Sequence, residues 1–207
     1  MTIKRYAAER KIQFLVHFTR IENVVSILDR GLYPRNQCAK LGINSMKNDA
    51  YRHDHTDAIC ASIGFPNYKM FFALQKESPN LQWAIIGLKP DVLWLKDCSF
   101  CKANAASSSV SSIPIDDRKG VAALSAMYED FEGKERCKLD IPMCYPTNPQ
   151  AEVLIHDHVE PELLLGVAFN DKALASEFAA RYDGLSFIFE PSFFKWRSDY
   201  MHWRRNG

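Results

Sequence analysis

The sequence has little net charge and no long apolar run. Lysine and arginine number 26 and aspartate and glutamate 25 among 207 residues, so the formal net charge is +1. A net charge near zero gives no general attraction for a polyanion, so nucleic-acid binding would have to come from local patches and stacking. No apolar run approaches the roughly 18 residues that cross a bilayer, and residues 1–6 lack the apolar core of a signal peptide. We therefore expect a soluble, cytoplasmic protein that does not bind a membrane.

Common motifs of nucleotide binding and nucleophilic catalysis are also missing. The sequence contains no Gly-x-Gly-x-x-Gly, no P-loop and no nucleophile elbow. A nucleotide site in this chain would have to be built from other residues.

The six cysteines do not follow a metal-binding or disulfide pattern. Cys98 and Cys101 have the spacing of half a zinc site, whereas Cys137 and Cys144 lie seven residues apart and make a poor second half. We expect buried free thiols in a reducing compartment.

Two His-Asp-His triplets, at residues 53–55 and 156–158, are the strongest remaining indication of a metal. On strands each triplet would place two imidazoles on one face, and together they could supply four nitrogen ligands to a metal-dependent hydrolase. The spacing of a recognised zinc motif is missing, since there is no His-Glu-x-x-His. We therefore expect no bound metal and keep the hydrolase as a third alternative.

The overall composition is that of an ordinary folded protein. Hydrophobic residues make up 47% of the chain and charged residues 25%, which is typical of a globular protein. A length of 207 residues suits one domain that spans residues 1–207. The predicted strands and helices follow one another irregularly, without the strict alternation of a doubly wound parallel sheet. The expected fold class is therefore α+β, with a mixed or antiparallel sheet.

Local patterns predict strands and helices along the whole chain. Strands are expected at residues 14–16, 58–63, 83–88, 153–155, 166–169 and 185–189, and helices at residues 4–12, 21–31, 91–94, 121–131, 160–165 and 171–182. The apolar residues 68–74 fit a helix or a strand equally well. Residues 34–57 are predicted to form a long polar loop with at most a short helix, and residues 103–120 a mobile surface connection.

The helix predicted after residue 20 begins beside two polar side chains. Thr19 and Glu22 have the spacing of a capping box, and Gly31 is expected to end the helix. His17 is expected at the end of the preceding strand. Its ring and the Thr19 hydroxyl would then lie at a helix N-terminus, where backbone N–H groups and the dipole favour an anion.

A carboxylate is predicted where a loop enters a buried strand. Pro149 favours extended backbone before it, and residues 153–155 fit a mostly buried short strand. With period-two alternation, Gln150 and Glu152 point to the same face. One interpretation is a solvated carboxylate at a strand end, since glutamate is mostly exposed. The other is a catalytic group presented at the edge of a sheet.

Several polar or pocket-forming residues make chemical sense as one site: His17, Thr19, Asn23, Arg52, residues 68–70, Gln150 and Glu152. A histidine and a hydroxyl can hold ribose and phosphate oxygens, and an arginine can hold pyrophosphate or a developing charge. A glutamate can bind a ribose hydroxyl or accept a proton. Such a set suits cleavage of the glycosidic bond of a dinucleotide, although each residue also has an ordinary structural explanation.

Three segments, in order along the chain, carry a family resemblance. They are His17-Phe18-Thr19-Arg20-Ile21-Glu22-Asn23, Phe65-Pro66-Asn67-Tyr68-Lys69-Met70-Phe71 and Asn148-Pro149-Gln150-Ala151-Glu152-Val153-Leu154, with Arg52 in the loop after the first. Together they resemble the DarT toxins, which are DNA ADP-ribosyltransferases paired with a macrodomain antitoxin called DarG. The resemblance extends from about residue 14 to the C-terminal strand.

The resemblance implies an ADP-ribosyltransferase fold, a split mixed sheet with flanking helices and with NAD in the cleft between its halves. It also implies NAD as co-substrate, single-stranded DNA as acceptor and a DarG-like macrodomain antitoxin as the partner of a monomeric enzyme. The residues that would bind NAD are His17, Thr19, Asn23, Tyr68, Met70 and Gln150. Arg52 would position NAD and the reacting groups, and Glu152 would be the catalytic glutamate.

Members of the resembled family modify thymine or guanine in single-stranded DNA. Residues 65–70 look closer to the guanine-modifying branch, and residues 133–150 correspond to the loop that selects the acceptor. The expected function is therefore NAD-dependent mono-ADP-ribosylation of a base, with guanine favoured over thymine. The chain would act as the toxin of a toxin-antitoxin pair.

Two other functions remain open from the residues alone. An ADP-ribosyltransferase that acts on protein or RNA would differ only in its acceptor, whereas a non-catalytic nucleic-acid-binding module would bind independently of NAD and Glu152. The tail interleaves aromatic rings with cations. Trp196, Tyr200 and Trp203 could stack on bases, or could pack partly in the core while cations such as Arg197 remain solvated.

Overall fold

The computed structural model describes residues 1–44, 46 and 57–204. Its strands are β1 Leu15–Arg20, β2 Ile59–Ile63, β3 Trp83–Leu88, β4 Cys98–Cys101, β5 Glu152–Ile155, β6 Leu164–Phe169 and β7 Ser186–Phe189. Its α-helices are α1 Ile3–Glu9, α2 Val24–Arg30, α3 Arg35–Lys40, α4 Tyr68–Glu77, α5 Val92–Leu95, α6 Ser108–Ser111, α7 Gly120–Ala126, α8 Lys172–Arg181 and α9 Tyr200–Trp203. Short 3-10 helices lie at Ile21–Asn23, Asp116–Arg118, Arg136–Lys138, Pro161–Leu163 and Pro191–Phe194.

The seven strands form one mixed sheet in the order β4-β5-β2-β1-β3-β6-β7. Neighbouring strands are antiparallel except β6 and β7, which are parallel. This arrangement confirms the expected α+β class with a mixed sheet and flanking helices. Within the part of the chain that the structure describes, no helix is long and apolar enough to cross a membrane.

The sheet divides at its centre. Strand β1 pairs with β3 along all six of its residues, whereas it pairs with β2 only through Leu15 and Val16. Beyond Val16 the two strands separate, so one half of the sheet is β4-β5-β2 and the other is β1-β3-β6-β7. The expected split sheet is therefore present, and the gap between the halves is where a cavity opens.

Both faces of the sheet are buried, which explains why β3 is apolar throughout. Successive side chains of a strand point to opposite faces. Ala84, Ile86 and Leu88 belong to the main core, which also contains residues of α1, α2, α7 and α8. Trp83 and Ile85 pack on the other face, against Phe71 of α4. The apolar segment at residues 68–74, which sequence patterns left open, is thus a helix that covers this second face.

Gly31 ends α2, as its position predicts. Its φ of 81° lies in the left-handed region that favours glycine. A Cβ atom at this position would lie 2.1 Å from the carbonyl oxygen of Val159. The close approach permits the bridge between Leu32 and Val159, which ties the end of α2 to the chain after β5.

Residues 103–120 are more than a surface connection, so that prediction is wrong. Ala103, Ala105 and Val110 are buried against Leu154 of β5. The alanines leave little apolar signal in the sequence, yet their small side chains let the backbone approach the sheet closely. Strand β4, just before this segment, was not predicted at all.

Cys98 and Cys101 of β4 are buried thiols that are not joined in a disulfide, as expected from the isolated Cys-x-x-Cys spacing. Burial raises the pKa of the Cys98 thiol to about 12, with Asp97 contributing in the same direction. A thiol with such a pKa stays protonated and inert near neutral pH.

A buried ion pair anchors the C-terminal segment. Arg197 and Asp199 are 3% and 1% exposed, and the guanidinium donates from Nε and Nη2 to the two carboxylate oxygens at 2.7 and 2.6 Å. The same guanidinium donates to the carbonyl oxygens of Pro146 and Thr147, and Trp203 Nε1 donates to Asp199. The expectation that tail cations are solvated is therefore wrong for Arg197.

Removing one partner of this pair should destabilise the fold strongly. We expect Arg197→Ala to lower the free energy of unfolding by about 3–5 kcal/mol, because Asp199 would remain as an unpaired buried charge. Urea unfolding of the purified variant measures the change. Arg5→Ala is the control, since Arg5 and Glu9 form an exposed pair worth less than about 0.5 kcal/mol. Equal effects of the two substitutions would contradict the anchoring role.

Candidate active site

A cavity of about 460 Å³ lies where β1 and β2 separate. Its walls come from β1 and β2, from α2 and α3, from residues 104–106 and from the first residue of β5. The volume is in the range of pockets that bind small molecules and cofactors, roughly 300–1,000 Å³. Of the predicted site residues, the cavity brings together His17, Thr19, Asn23, Met70 and Glu152.

His17 connects the two halves of the sheet across this gap. Its Nδ1 lies 2.7 Å from the carbonyl oxygen of Cys60 on β2. Because a carbonyl oxygen can only accept, Nδ1 carries a proton in this hydrogen bond. His17 lies inside β1 and not at its end, since the strand continues to Arg20.

Thr19 does not cap a helix, so the predicted capping box is wrong. The residue is 2% exposed, and its hydroxyl accepts a hydrogen bond from Asn23 Nδ2 at 3.0 Å. Strand β1 runs through Thr19 and Arg20, and Arg20 precedes the 3-10 helix without any side-chain cap. The Thr19 hydroxyl pairs with Asn23, and not with a backbone N–H of the following helix, because both side chains are enclosed at the cavity wall.

Asn23 also holds the chain on the opposite side of the cavity. Its Nδ2 donates to the carbonyl oxygen of Met46, and its Oδ1 accepts from the N–H of Met46, both at 2.8 Å. The Asn23 amide forms hydrogen bonds with both the N–H and the C=O of Met46. It therefore fixes the Met46 backbone in the same way as the backbone of a neighbouring strand would. Met46 in turn lines the cavity. Asn23 therefore shapes the pocket as well as contributing to its polar wall.

Glu152 is buried and its orientation is fixed. The residue is 6% exposed. Its Oε1 accepts from Asn67 Nδ2 at 3.3 Å, and its Oε2 accepts from the backbone N–H of Ala105 at 2.8 Å. The alternative of a solvated carboxylate at a strand end is thus wrong. Both hydrogen bonds are formed to a charged acceptor, which makes them stronger than neutral ones.

Sequence patterns missed the two groups that hold this carboxylate. Asn67 is 1% exposed and also caps α4, because its Oδ1 accepts from the N–H of Met70. An asparagine directly before a helical pattern is a capping signal that could have identified it. Ala105 could not have been found in this way, since it acts through its backbone.

Two other predicted residues, Gln150 and Tyr68, do not line the cavity. Gln150 lies in a turn and not in β5, so period-two alternation does not reach it; its N–H donates to Asn148 Oδ1. Tyr68 is 3% exposed and packs edge-on against Tyr200. Arg52 lies outside the described residues, whereas Arg35 of α3 lines the cavity.

The Tyr68 hydroxyl is enclosed. Among the described residues it has no hydrogen-bond partner. Burial raises the pKa of the Tyr68 hydroxyl well above its ordinary value, and Asp199 adds to the rise. The group therefore stays protonated near neutral pH and can only donate or accept as a phenol.

The histidine triplets do not form a metal centre in the described structure. His156 lies 2.8 Å from Ser99 Oγ, and His158 Nε2 donates to the carbonyl oxygen of Arg30. Burial lowers the pKa of His156. Residues 53–55 lie outside the described part of the chain. Within residues 1–44, 46 and 57–204, no cluster of His, Cys, Asp or Glu is arranged to hold a metal ion.

Comparison with known structures shows the same fold in two bacterial proteins. The DarT of Thermus sp. 2.9 in complex with ADP-ribosylated ssDNA superposes with a TM-score of 0.61 at 13% identity, over 89% of this chain and 97% of that chain. The same protein in complex with NAD+ gives a TM-score of 0.56 at 12% identity, over 89% and 98%. The DarTG of Thermosipho africanus in complex with ADP-ribose gives 0.58 at 21% identity, over 88% and 51%.

The present chain thus spans about half the length of the Thermosipho chain. No curated protein matches the sequence. The family model described as ssDNA thymidine ADP-ribosyltransferase, DarT, matches residues 16–185, which is most of the chain and includes His17, Asn67 and Glu152. The chain therefore belongs to the DarT family of single-stranded DNA ADP-ribosyltransferases, enzymes that use NAD as their co-substrate.

Proposed function

We propose that this chain transfers ADP-ribose to guanine, in preference to thymine, in single-stranded DNA. We also propose that it does so as the toxin of a toxin-antitoxin pair, acting in the cytoplasm as a monomer with one catalytic domain over residues 1–207. The observation that carries the catalytic proposal is Glu152, a buried carboxylate held by two hydrogen bonds at the wall of the cavity. The choice of guanine rests on the resemblance of residues 65–70 to that branch of the family.

The cavity has the chemistry that a dinucleotide requires. Ile27, Leu32 and Met70 provide apolar walls, on which a planar ring can pack. The ring of His17, the side chain of Asn23 and the Arg35 guanidinium provide polar and charged groups at the same cavity. When bound, NAD supplies a ribose whose bond to nicotinamide is broken and replaced by a bond to the DNA base.

Each residue of the site has a proposed role. His17 and Thr19 hold ribose and phosphate oxygens, and Arg35 contributes positive charge for the pyrophosphate. Arg52 is proposed to position NAD and the reacting groups, and Gln150 and Tyr68 to contribute to NAD binding from outside the described cavity lining. Glu152 holds a ribose hydroxyl, stabilises positive charge that develops on the ribose, and accepts the proton that the attacking base nitrogen releases.

The loop proposed to select the acceptor, residues 133–150, is fixed close to Glu152. Arg136 Nη1 donates to Thr147 Oγ1, and its Nη2 donates to the carbonyl oxygens of Pro142 and Met143. The ring of Tyr145 packs against Gly64, where a Cβ atom would lie 2.6 Å from it. A loop anchored at several points can present a defined surface to the base, which supports its role in selection.

The antitoxin is proposed to be a macrodomain protein. The Thermosipho structure is a DarTG in complex with ADP-ribose, and a partner that recognises ADP-ribose is suited to reverse or restrain ADP-ribosylation of DNA. Co-purification of this chain with the neighbouring gene product tests the pairing directly.

Replacing Glu152 with Gln should remove turnover but leave the fold intact. The amide keeps the size of the side chain but cannot accept the proton, so we expect the turnover number to fall about 10²–10⁴-fold. Glu152→Ala should in addition destabilise the protein by about 1–3 kcal/mol, because the donors on Asn67 and Ala105 would lose their acceptor. Activity on single-stranded oligonucleotides and urea unfolding measure the two effects.

The matched control is Gln150→Ala, which changes a neighbouring polar side chain in a turn and should retain much of the activity. A folded Glu152→Gln protein that modifies DNA at a rate near that of the wild type would remove Glu152 from catalysis.

Short oligonucleotides should reveal the target base. We expect an adduct of one ADP-ribose on strands that contain a single guanine, and much less on matched strands with a single thymine, when products are measured by mass spectrometry. Preferential modification of thymine would contradict the guanine proposal and leave the enzyme class unchanged. Labelling of protein or RNA, with DNA unlabelled, would favour the alternative acceptors.

A further inference from the structure

Three aromatic rings form a partly exposed row beside the active site. Trp196 stacks on Tyr200 with ring centroids 4.7 Å apart, and Phe72 of α4 contacts Trp196 with centroids 4.6 Å apart. Phe72 and Trp196 are 44% and 46% exposed. Adjacent exposed aromatic rings are unusual on a monomeric protein unless they meet a ligand or partner. We call Phe72, Trp196 and Tyr200 the aromatic row.

The aromatic row is joined to the cavity through α4. The helix begins immediately after Asn67, whose side chain contacts Glu152, and Met70 in its first turn lines the cavity. Phe72 lies two residues beyond Met70 on the same helix, and Tyr200 packs edge-on against Tyr68 in the first turn of α4. The aromatic row is therefore tied to the helix that forms part of the cavity wall.

The aromatic row is also joined to the loop proposed to select the acceptor. Arg197, directly after Trp196, donates to the carbonyl oxygens of Pro146 and Thr147. These carbonyls lie just before the segment that leads into Glu152. Because Arg197 is buried and paired with Asp199, Trp196 is held in a fixed position relative to this loop.

The charges around the aromatic row suit a polyanion. Lys76 and Lys195 are exposed, and Lys76 follows Phe72 by four residues, which places both on one face of α4. Lys69 Nζ lies 5.5 Å from the ring centre of Trp203. The acidic side chain in this segment, Asp199, is neutralised by Arg197. A phosphate backbone beside stacked bases therefore meets Lys76 and Lys195, with the exposed Glu77 as the one acidic side chain next to Lys76 on α4.

We infer that the aromatic row is a binding site for the nucleotides that flank the target base in single-stranded DNA. Bases stack on Phe72 and Trp196, and Lys76 and Lys195 contact the phosphates. Stacking on aromatic side chains tolerates any base, so the site increases affinity for a strand without setting the target base. The inference rests on single-stranded DNA as the substrate and not on guanine as the target.

The test compares Phe72→Ala and Trp196→Ala with Phe189→Ala. Phe189 is 49% exposed on β7, at the far edge of the sheet from β4 and β5, and so controls for loss of an exposed aromatic side chain. Binding of a fluorescent single-stranded oligonucleotide, measured by anisotropy without NAD, should weaken about 5- to 100-fold in the two row variants. It should be unchanged in Phe189→Ala.

Kinetics provide a second readout. With a mononucleotide that carries only the target base, the row variants should turn over like the wild type, and their KM for NAD should be unchanged. With a long strand their KM for DNA should rise. Phe72→Tyr, which keeps a stacking ring, should restore wild-type values. Binding is measured without catalysis, so an error in the proposed target base would leave this test unaffected.

Two outcomes would overturn the inference. One is that Phe72→Ala and Trp196→Ala bind long strands as tightly as Phe189→Ala. The other is that the substitutions change the oligomeric mass in solution and leave DNA binding intact, which would identify the aromatic row as a protein interface. Thermal unfolding of Trp196→Ala and Phe72→Ala separates loss of binding from loss of fold.

The side-chain amide of Asn67 forms two hydrogen bonds with different roles. Its Oδ1 caps α4 by accepting from the N–H of Met70, and its Nδ2 donates to Glu152. The geometry points to Asn67 as a positioning residue that orients the Glu152 carboxylate for the reaction. This inference rests on the proposed catalytic role of Glu152.

Substitutions at position 67 separate the two contacts. Asn, Ser and Asp cap helices about equally well, but Ser lacks a donor that reaches Glu152, and Asp presents a second carboxylate to it. A positioning role predicts that the turnover number falls from wild type to Asn67→Ser and falls further in Asn67→Asp, with little change in KM for NAD. A purely structural role predicts equal turnover numbers for the three proteins.

The comparison with Glu152→Gln identifies which inference fails. If Glu152→Gln is inactive and Asn67→Ser has the wild-type turnover number, the positioning role is wrong. If both retain wild-type rates, the catalytic assignment of Glu152 is wrong as well.

Discussion

The early separation of β1 from β2 determines the rest of the functional architecture. The two strands pair through only two residues each, while β1 continues beside β3 to Arg20. Unpaired strand edges inside a protein need other partners for their polar groups, and His17 supplies one by donating to Cys60 across the gap. The same opening allows a cavity to form between two halves of a continuous sheet. Both the cavity and the division of the sheet into two halves are therefore consequences of the short pairing between β1 and β2.

A buried carboxylate at this opening requires contributions from distant parts of the chain. Removing a charge from water is costly unless hydrogen bonds replace the lost solvation. Asn67 and Ala105, which lie 85 and 47 residues from Glu152, provide those bonds. Because each donor is fixed by its own structure, the carboxylate has one orientation before substrate binds. Such preorganisation is what electrostatic stabilisation of a reaction requires.

Much of the fold could be predicted from the sequence, because strands such as β3 and helices such as α8 have strong local signals. That His17 and Glu152 come together could also be predicted, with the help of family resemblance, and both line the cavity. Of the two partners of Glu152, Asn67 has a helix-capping signal, whereas Ala105 could not be found, since its donor is a backbone group. The capping box at Thr19 failed because burial beside Asn23 outweighed a local helix signal. Long-range packing decided each of these cases.

The C-terminal segment shows how packing at a distance can extend a catalytic site. Arg197 and Asp199 are buried together, and their bonds to Pro146 and Thr147 fix the tail against the loop that precedes Glu152. Because its backbone is held in this way, the segment keeps a fixed conformation although the Trp196 side chain is exposed. A rigid aromatic surface loses little conformational entropy when a flexible strand stacks on it. The ion pair that stabilises the tail therefore also holds the exposed Trp196 on which we propose that single-stranded DNA stacks.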